Sequence, residues 1–214
     1  MHKAFCCDVF VLLDTVQYQK GGVQNRNQIK TAQGRTWLTV PVQASLSKSI
    51  RETEIANFAW LRKHQATIQQ SYPRAAGLAA LEGFMDILNQ APANLASLNG
   101  ALMRWMFSLL RLPCQVVDAS QLNVSGKATE LVRNICQEVG ATSYLSGPGA
   151  KSYMEPALLE EAGIGLVYHS VEVTEYSQMY PQVGFLNDLS ALDLILNLGD
   201  QAAPYLASLP PRLS

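Results

Sequence analysis

Two short runs place glycines, hydroxyls and a lysine where an apolar strand should end. In the first, Ser125-Gly126-Lys127-Ala128-Thr129, Ser125 reads as a helix N-cap, with Lys127 and Thr129 in the first helical turn. Free backbone N–H groups and the helix dipole favour an anion there, and Lys127 adds a full charge. The upstream glycine spacing of a Walker loop is absent, so the plain alternative is an ordinary capped helix start. The second run is Ser146-Gly147-Pro148-Gly149-Ala150-Lys151-Ser152-Tyr153. Ser146, Gly147 and Gly149 let backbone approach a ligand closely, while Lys151, Ser152 and Tyr153 supply a charge and two hydroxyls. Its plain alternative is a glycine-rich link. If the strands feeding these runs are neighbours, both loops open on one sheet edge, where open parallel sheets bind their ligands.

Two further clusters have chemical content. In Val16–Lys30, Lys20, Arg26 and Lys30 stand with Asn25 and Asn27, a set able to grip a carboxylate or phosphate, Arg26 bidentately. A solvated polar turn has the same composition. Tyr176, Gln178, Tyr180 and Pro181 precede Phe185, Ser190 and Asp193; such aromatic and amide groups stack on and orient a base or sugar ring. The alternative is a packed C-terminal wrap with Asp193 on a helix surface. His64 is in step with Trp60 and Ile68 and reads as a core histidine. His169 lies near a strand end, and His2 near a terminus expected to fray. No Ser-His-Asp set, metal-ligating spacing or cofactor motif is legible, so neither a metal nor a cofactor is expected.

The elements that must position these residues follow from periodicity. "DVFVLLD", "RTWLTVPV" and, less clearly, "IRETEIA" read as strands, and the amide-rich Val16–Lys30 stretch as the polar link between the first two. Three amphipathic helices follow. Trp60, His64 and Ile68 mark the first, which Tyr72-Pro73 closes. Leu78, Leu81, Met85 and Leu88 mark the second. Leu95, Leu98, Leu102, Trp105 and Leu109 mark the third, ended by Pro113. They form a helical insertion over about residues 58–112. From Cys114 the pattern becomes strand–helix–strand–helix–strand ("CQVV", "SGKATELVRNICQEVG", "TSYLS", "MEPALLEEAG", "GLVYHSV"), which implies parallel pairing and right-handed crossovers. "DLSALDLILNLG" closes the pattern as a helix ended by Gly199. The expectation is one α/β domain over 1–214, a mostly parallel sheet with flanking helices and the helical insertion.

Composition narrows the function classes. The 214 residues carry 16 Lys+Arg against 17 Asp+Glu, with 48% hydrophobic and 15% charged residues. That near-cancellation offers no overall basic surface for nucleic acid. Cys6, Cys7, Cys114 and Cys136 form no C-x-x-C pair, and no signal peptide opens the chain, so reduced thiols in the cytoplasm are expected. The most apolar stretch, "LASLNGALMRWMFSLL", is interrupted by Asn99 and Arg104 and is short of the roughly 20 residues a span needs. A buried helix is expected instead.

Three blocks, "DVFVLLDTVQYQK…NRNQIK…TWLTVPV", "GKATELVRNICQEVGATSYLSGPGAKSYM" and "YSQMYPQVGFLNDLSALDLILNLG", together resemble the WbqC-like family over about Lys3 to Gly199. The resemblance implies a bacterial protein of O-antigen or other surface-polysaccharide biosynthesis, and a pathway more firmly than a chemistry. It singles out Asp14, Gln17, Tyr18, Lys20, Asn25, Arg26, Asn27 and Lys30 in the first block. In the second it singles out Gly126, Lys127, Thr129, Ser146, Gly147 and Tyr153, and in the third Gln178, Tyr180, Phe185, Ser190 and Asp193. Joined to side-chain chemistry, this gives an expected catalytic set of Arg26, Lys20, Asp14 and Tyr153. The expected ligand set is Asn25, Asn27, Lys30, Gly126, Lys127, Thr129, Ser146, Gly147, Gly149, Lys151, Gln178 and Tyr180. The expected ligand is an anionic activated small molecule, a nucleotide sugar or acyl donor, and the expected activity that of a transferase on nucleotide-activated sugars. The rival is a non-catalytic binding or partner protein of the same pathway, with the amphipathic helical middle and its tryptophans Trp60 and Trp105 as the docking face; the expected protein partner is another pathway protein or a second copy of the chain in a homo-oligomer. Family members usually begin with a segment carrying a His-Gln-Pro motif, and this chain enters the pattern after it. A start codon assigned too late is the expectation, a truncated member the alternative. Thr15 stands where an acidic residue is frequent, which argues against paired carboxylates holding a metal.

Overall fold

The computed structural model describes residues 1–43, 47–90 and 92–214. In chain order its named elements are α1 (His2–Phe5), β1 (Val9–Leu12), β2 (Arg26–Thr31), β3 (Gly34–Thr39), α2 (Ala59–Ser71), α3 (Ala80–Asn89), α4 (Leu95–Leu109) and β4 (Gln115–Asp118). There follow α5 (Ala128–Glu138), β5 (Ser143–Ser146), α6 (Pro156–Glu160), β6 (Gly165–Val171), α7 (Ala191–Leu198), α8 (Ala202–Ser208) and β7 (Pro211–Leu213). The fold mixes α and β, with small sheets: β1 pairs with β4 and β5 with β6 in parallel, whereas β2–β3 and β6–β7 are antiparallel. The chain divides into two compact units, one of residues 1–13, 113–172 and 207–214, the other of 14–112 and 173–206.

The first unit holds the βαβ run from β4 to β6. Its helix α5 turns Ile135 and Cys136 inward and ends at Gly140, whose φ of 67° supplies the left-handed C′ position. Cys136, Ala150, Met154, Leu159 and Ile164 form a buried cluster against which Val132, Tyr144 and Leu166 pack. That cluster fixes the loop after β5 between α5 and α6. Helix α1 belongs to the same unit, and His2 within it is buried at 5% exposure, not frayed as its position near the first residue suggests.

The second unit is built around the hairpin β2–β3 and helices α2, α3, α4 and α7. Asn25–Lys30, expected as a polar link, is mostly strand. Residues 26–31 pair antiparallel with 34–39 because a tight turn at Ala32-Gln33 joins them, with Gly34 at φ 106°. The outward-inward alternation fails here because Ile29, Lys30 and Thr31 are all buried. "IRETEIA" is not a strand either. Its residues make a turn, with isolated bridges Gln17–Ser49, Val42–Ile55 and Glu54–Asn94, and Glu52 accepts hydrogen bonds from the Ser49 N–H and hydroxyl.

Helix periodicity is the more reliable guide. Trp60, His64 and Ile68 of α2 are buried as a stripe, and the Trp60 and His64 rings meet edge-on with their centroids 4.8 Å apart. On α3 the buried set is Leu81, Phe84 and Leu88, while Leu78 precedes the helix and is exposed; on α4, Leu109 is exposed and Met106, Phe107 and Leu110 take its place. Trp60 and Trp105 do not form an exposed docking face. Trp60 is 7% exposed, and Trp105 packs against Phe84 and over Gly83, where an added Cβ would sit 2.8 Å from Nε1. Helix α4 spans 15 residues, and no helix among the described residues is long and apolar enough to cross a membrane.

Candidate functional site

Both glycine-lysine runs lie in the first unit, each following a strand that pairs in parallel. Helix α5 begins two residues later than its composition suggests: Lys127, not Ser125, occupies the N-cap position, in extended backbone, and Ala128 takes φ 47°. Ser125 does not cap. Its carbonyl accepts a hydrogen bond from Asn134 Nδ2 at 2.7 Å. A non-glycine residue at positive φ costs about 1 kcal/mol or more, so the turn into α5 is held by its surroundings. Gly126, at φ 119°, favours glycine by its backbone and leaves little room besides, since a Cβ would meet Glu130 Cγ at 3.0 Å and Leu131 N at 3.1 Å.

Thr129, buried at 1% exposure, explains what holds the turn. Its Oγ1 accepts the Glu155 N–H at 3.0 Å, and Glu155 is the N-cap of α6. The start of α5 and the far end of the 146–153 loop are therefore joined directly. Within that loop Ser146 is fully buried and donates to the Gly147 carbonyl, and residues 148–152 form a 3₁₀ turn. Gly147 and Gly149 face open space: a methyl group added at either Cα would have nothing within 4 Å. Lys127 and Lys151 are exposed; Lys151 Nζ sits 4.6 Å over the Tyr168 ring, a cation–π contact. Tyr153 is 58% exposed. Glu130 in the first turn of α5 and Glu155 bring carboxylates to the same neighbourhood, so cations do not stand there alone.

In the second unit the polar residues are engaged with one another. Arg26 donates from Nε to the Gly22 carbonyl at 3.1 Å and from Nη2 to that of Gly21, with its guanidinium 4.5 Å over the Trp37 ring. It closes the 21–26 loop. Asn25 Nδ2 donates to the Val40 carbonyl and Asn27 Oδ1 accepts from the Gln28 N–H, while Lys20 is exposed and the Asp14 carbonyl accepts from Arg51 N. Tyr180, at φ 60°, donates its hydroxyl to the Gln70 carbonyl.

At the centre is Asp193, which the packed-wrap alternative placed on a helix surface and which has no exposure at all. Helix α7 is apolar on every side, so its one carboxylate has to be paired where it lies. Oδ1 accepts from Tyr72 Oη at 2.6 Å; Oδ2 accepts from Tyr176 Oη at 2.8 Å and Gln178 Nε2 at 3.0 Å. Lys30 Nζ donates to Gln178 Oε1 at 3.2 Å and to the Gly184 carbonyl at 2.6 Å. Gln178 also bonds both backbone groups of Leu186. Burial lowers the Lys30 pKa from the ordinary lysine value, with the Asp193 charge acting against that. Burial first, and Asp193 second, push both tyrosines above the ordinary phenol range; an ionised carboxylate only accepts, so both hydroxyls donate to it. This network ties residues 176–186 to β2 and α2; Ser190, the cap of α7, adds a bond from its N–H to the Gln28 carbonyl at 2.8 Å.

Of the residues expected from sequence, the structure brings Thr129, Ser146, Gly147, Gly149 and Lys151 into one loop cluster beside Lys127. It brings Lys30 and Gln178 into another, around Asp193. Tyr72 was not expected: its place at a helix end before Pro73 carries no sign of a buried hydroxyl. Tyr176 was visible only as part of an aromatic and amide cluster.

A model of the WbqC-like protein family matches residues 1–205. The chain belongs to the WbqC-like family. It is 33% identical over 204 residues, 93% of this chain and 87% of the other, to the Mycobacterium tuberculosis protein described as uncharacterized protein Rv1507c. No solved structure matches it. The blocks that carry the family resemblance hold both clusters, the α5 and β5 loops in one and the Lys30–Gln178–Asp193 lock across the other two.

Proposed function

We propose that this WbqC-like protein is an enzyme of surface-polysaccharide biosynthesis that binds an anionic activated small molecule, a nucleotide sugar or an acyl donor, for group transfer. The single observation that carries this reading is the hydrogen bond from Glu155 N–H to Thr129 Oγ1. It sets the lysine-bearing start of α5 beside the glycine-rich loop after β5. Lys127, the first N–H groups of α5 and the open backbone at Gly147 and Gly149 would hold phosphate oxygens, and Lys151 would add a second cation. Glu130 and Glu155 bias the site toward a ligand that also offers hydroxyl donors, as a sugar does. Tyr153, in the same unit, is the candidate catalytic group there, while Arg26, Lys20 and Asp14, expected from sequence to act in catalysis, lie in the second unit and are given no role at this site. Asn25, Asn27 and Tyr180 shape the second unit's loops, and Lys30 and Gln178 keep the 176–186 segment in place.

The rival reading, a non-catalytic partner protein, has no exposed tryptophan pair behind it, because Trp60 is buried and Trp105 is half-buried against Phe84. A calorimetric titration series with UDP-glucose, inorganic pyrophosphate and coenzyme A tests the proposal. Saturable binding of one of them, weakened by Lys127→Glu and strengthened at low salt, is the expected result. Absence of binding by all three would remove the anionic-ligand claim.

A further inference from the structure

We propose that His2, Cys6 and His169 form a binding site for one zinc-class transition-metal ion in the first unit. This site is independent of the anionic-ligand reading. Among the described residues they are the one group of three metal-ligating side chains whose ligand atoms converge, all within 4.8 Å of one another. His2 Nδ1 lies 2.9 Å from His169 Nε2, and Cys6 Sγ lies 3.7 Å from His2 Nδ1. Tetrahedral zinc bonds of about 2.05 Å to nitrogen and about 2.3 Å to sulfur require N–N and N–S separations of about 3.4 and about 3.6 Å. The sulfur is thus already at the right distance from His2, and the two imidazole nitrogens need to part by about 0.5 Å.

The hydrogen bonds around the rings prepare them as ligands. His2 Nε2 is 2.8 Å from the Leu209 carbonyl. A carbonyl only accepts, so the ring proton sits on Nε2 and the Nδ1 lone pair points at His169. A carbonyl behind a ligating histidine is the usual way its tautomer is fixed. Both imidazoles are buried at 5% exposure, in surroundings that exclude competing water, while Cys6 is partly exposed and gives an entry path. Two lone pairs facing each other at hydrogen-bond distance share a single proton, and a metal ion takes its place. Lys3 acts electrostatically on His169 and opposes a dication; ionisation of the Cys6 thiol on binding offsets it. Imidazole with thiolate selects zinc or copper(I) over magnesium or calcium. Three protein ligands leave a fourth position for water or an exogenous group.

The sequence hides this site because its ligands stand 167 positions apart. Its structural consequence is local: α1 has four residues, too few to hold a helix by itself. The ion would pin it to β6 and to the segment at Leu209.

The test uses the full chain, stripped with chelator and titrated with Co²⁺, then with Zn²⁺ as competitor. Expected are one Co²⁺ per chain, visible bands of tetrahedral cobalt with a thiolate-to-cobalt charge-transfer band, and their displacement by one equivalent of Zn²⁺. Cys6→Ser should abolish the charge-transfer band and weaken Zn²⁺ binding by at least about 100-fold. Cys7→Ser, whose Sγ contacts the Ala4 carbonyl instead, should keep both. In the unmodified chain, Zn²⁺ should slow alkylation of Cys6, mapped by mass spectrometry, and leave Cys136 unaffected. Lack of cobalt bands in the wild-type chain, survival of the charge-transfer band in Cys6→Ser, or unchanged alkylation of Cys6 would overturn the site.

Discussion

Replacing Tyr72 with phenylalanine isolates the Asp193 lock from packing, because the ring stays and only a hydroxyl leaves. Tyr72 is fully buried. Its hydroxyl donates to Asp193 Oδ1 at 2.6 Å and accepts the Lys30 N–H at 3.2 Å. Loss of a hydrogen bond to a charged group costs about 1.5–3 kcal/mol, and a buried N–H left without a partner costs about 1–3 kcal/mol. The two are coupled, so the expected destabilisation is about 3–5 kcal/mol rather than their full sum. Tyr176→Phe removes one donor to Asp193 and strands no backbone group, so about 1.5–2 kcal/mol is expected. Urea unfolding read by tryptophan fluorescence is the suitable assay. All three tryptophans, Trp37, Trp60 and Trp105, lie in the second unit, so the signal reports on the unit that contains the lock. A Tyr72→Phe loss below about 1 kcal/mol, or one no larger than that of Tyr176→Phe, would refute the argument that this hydroxyl is a two-way strut.

Other predictions follow from the same structure. Gly77→Ala should destabilise the second unit by about 2–3 kcal/mol in the same assay, because a Cβ would meet the Ile195 carbonyl oxygen at 2.1 Å; a neutral effect would mean the backbone there yields freely. Gly147→Ala, which has open space, should leave unfolding midpoints unchanged yet weaken pyrophosphate or UDP-glucose binding in calorimetry. Equal affinity in both proteins would take that loop out of the site. Burial lowers the His64 pKa below the ordinary 6.5, a bond involving the Thr39 backbone acting the other way. The unfolded chain therefore binds the proton more readily. His64's contribution is fully present above pH 6.5 and is lost as pH falls toward its folded value. His64→Gln should flatten the fall in the fluorescence-detected midpoint between about pH 7 and 5, and an unchanged slope would contradict the assignment.

The sequence shows its helices far better than its sheets. α2 and α4 are readable because four-residue spacing of Trp60, His64 and Ile68, or the recurrence of Leu95, Leu98 and Leu102, fits a helical face and no strand. β2 is not, since a strand that buries Lys30 beside Ile29 breaks the polar-out pattern on which strand reading depends. The surroundings of Asp193 are hidden as well: a lone carboxylate on a helix says nothing of burial until one knows that Tyr72, Tyr176 and Gln178, up to 121 positions away, converge on it. The α5 and β5 loops are legible as glycine-lysine runs, but the bond that joins them is not. Thr129 advertises a capping or ligand hydroxyl, and nothing local says that its oxygen faces the Glu155 N–H. His2 and His169 are unreadable as a pair, being far apart along the chain.

The central claim is that the start of α5 and the loop after β5 together receive a phosphate-bearing ligand. Its most direct measurement is calorimetric titration of UDP-glucose and pyrophosphate into the wild-type chain and Lys127→Glu, with unfolding monitored in parallel. Lys127 is exposed and its side chain makes no capping hydrogen bond, so the variant should unfold like the wild type and bind at least about 10-fold more weakly, as loss of about 1.4 kcal/mol implies. Equal affinity for the tightest-bound probe in the two proteins would contradict the account.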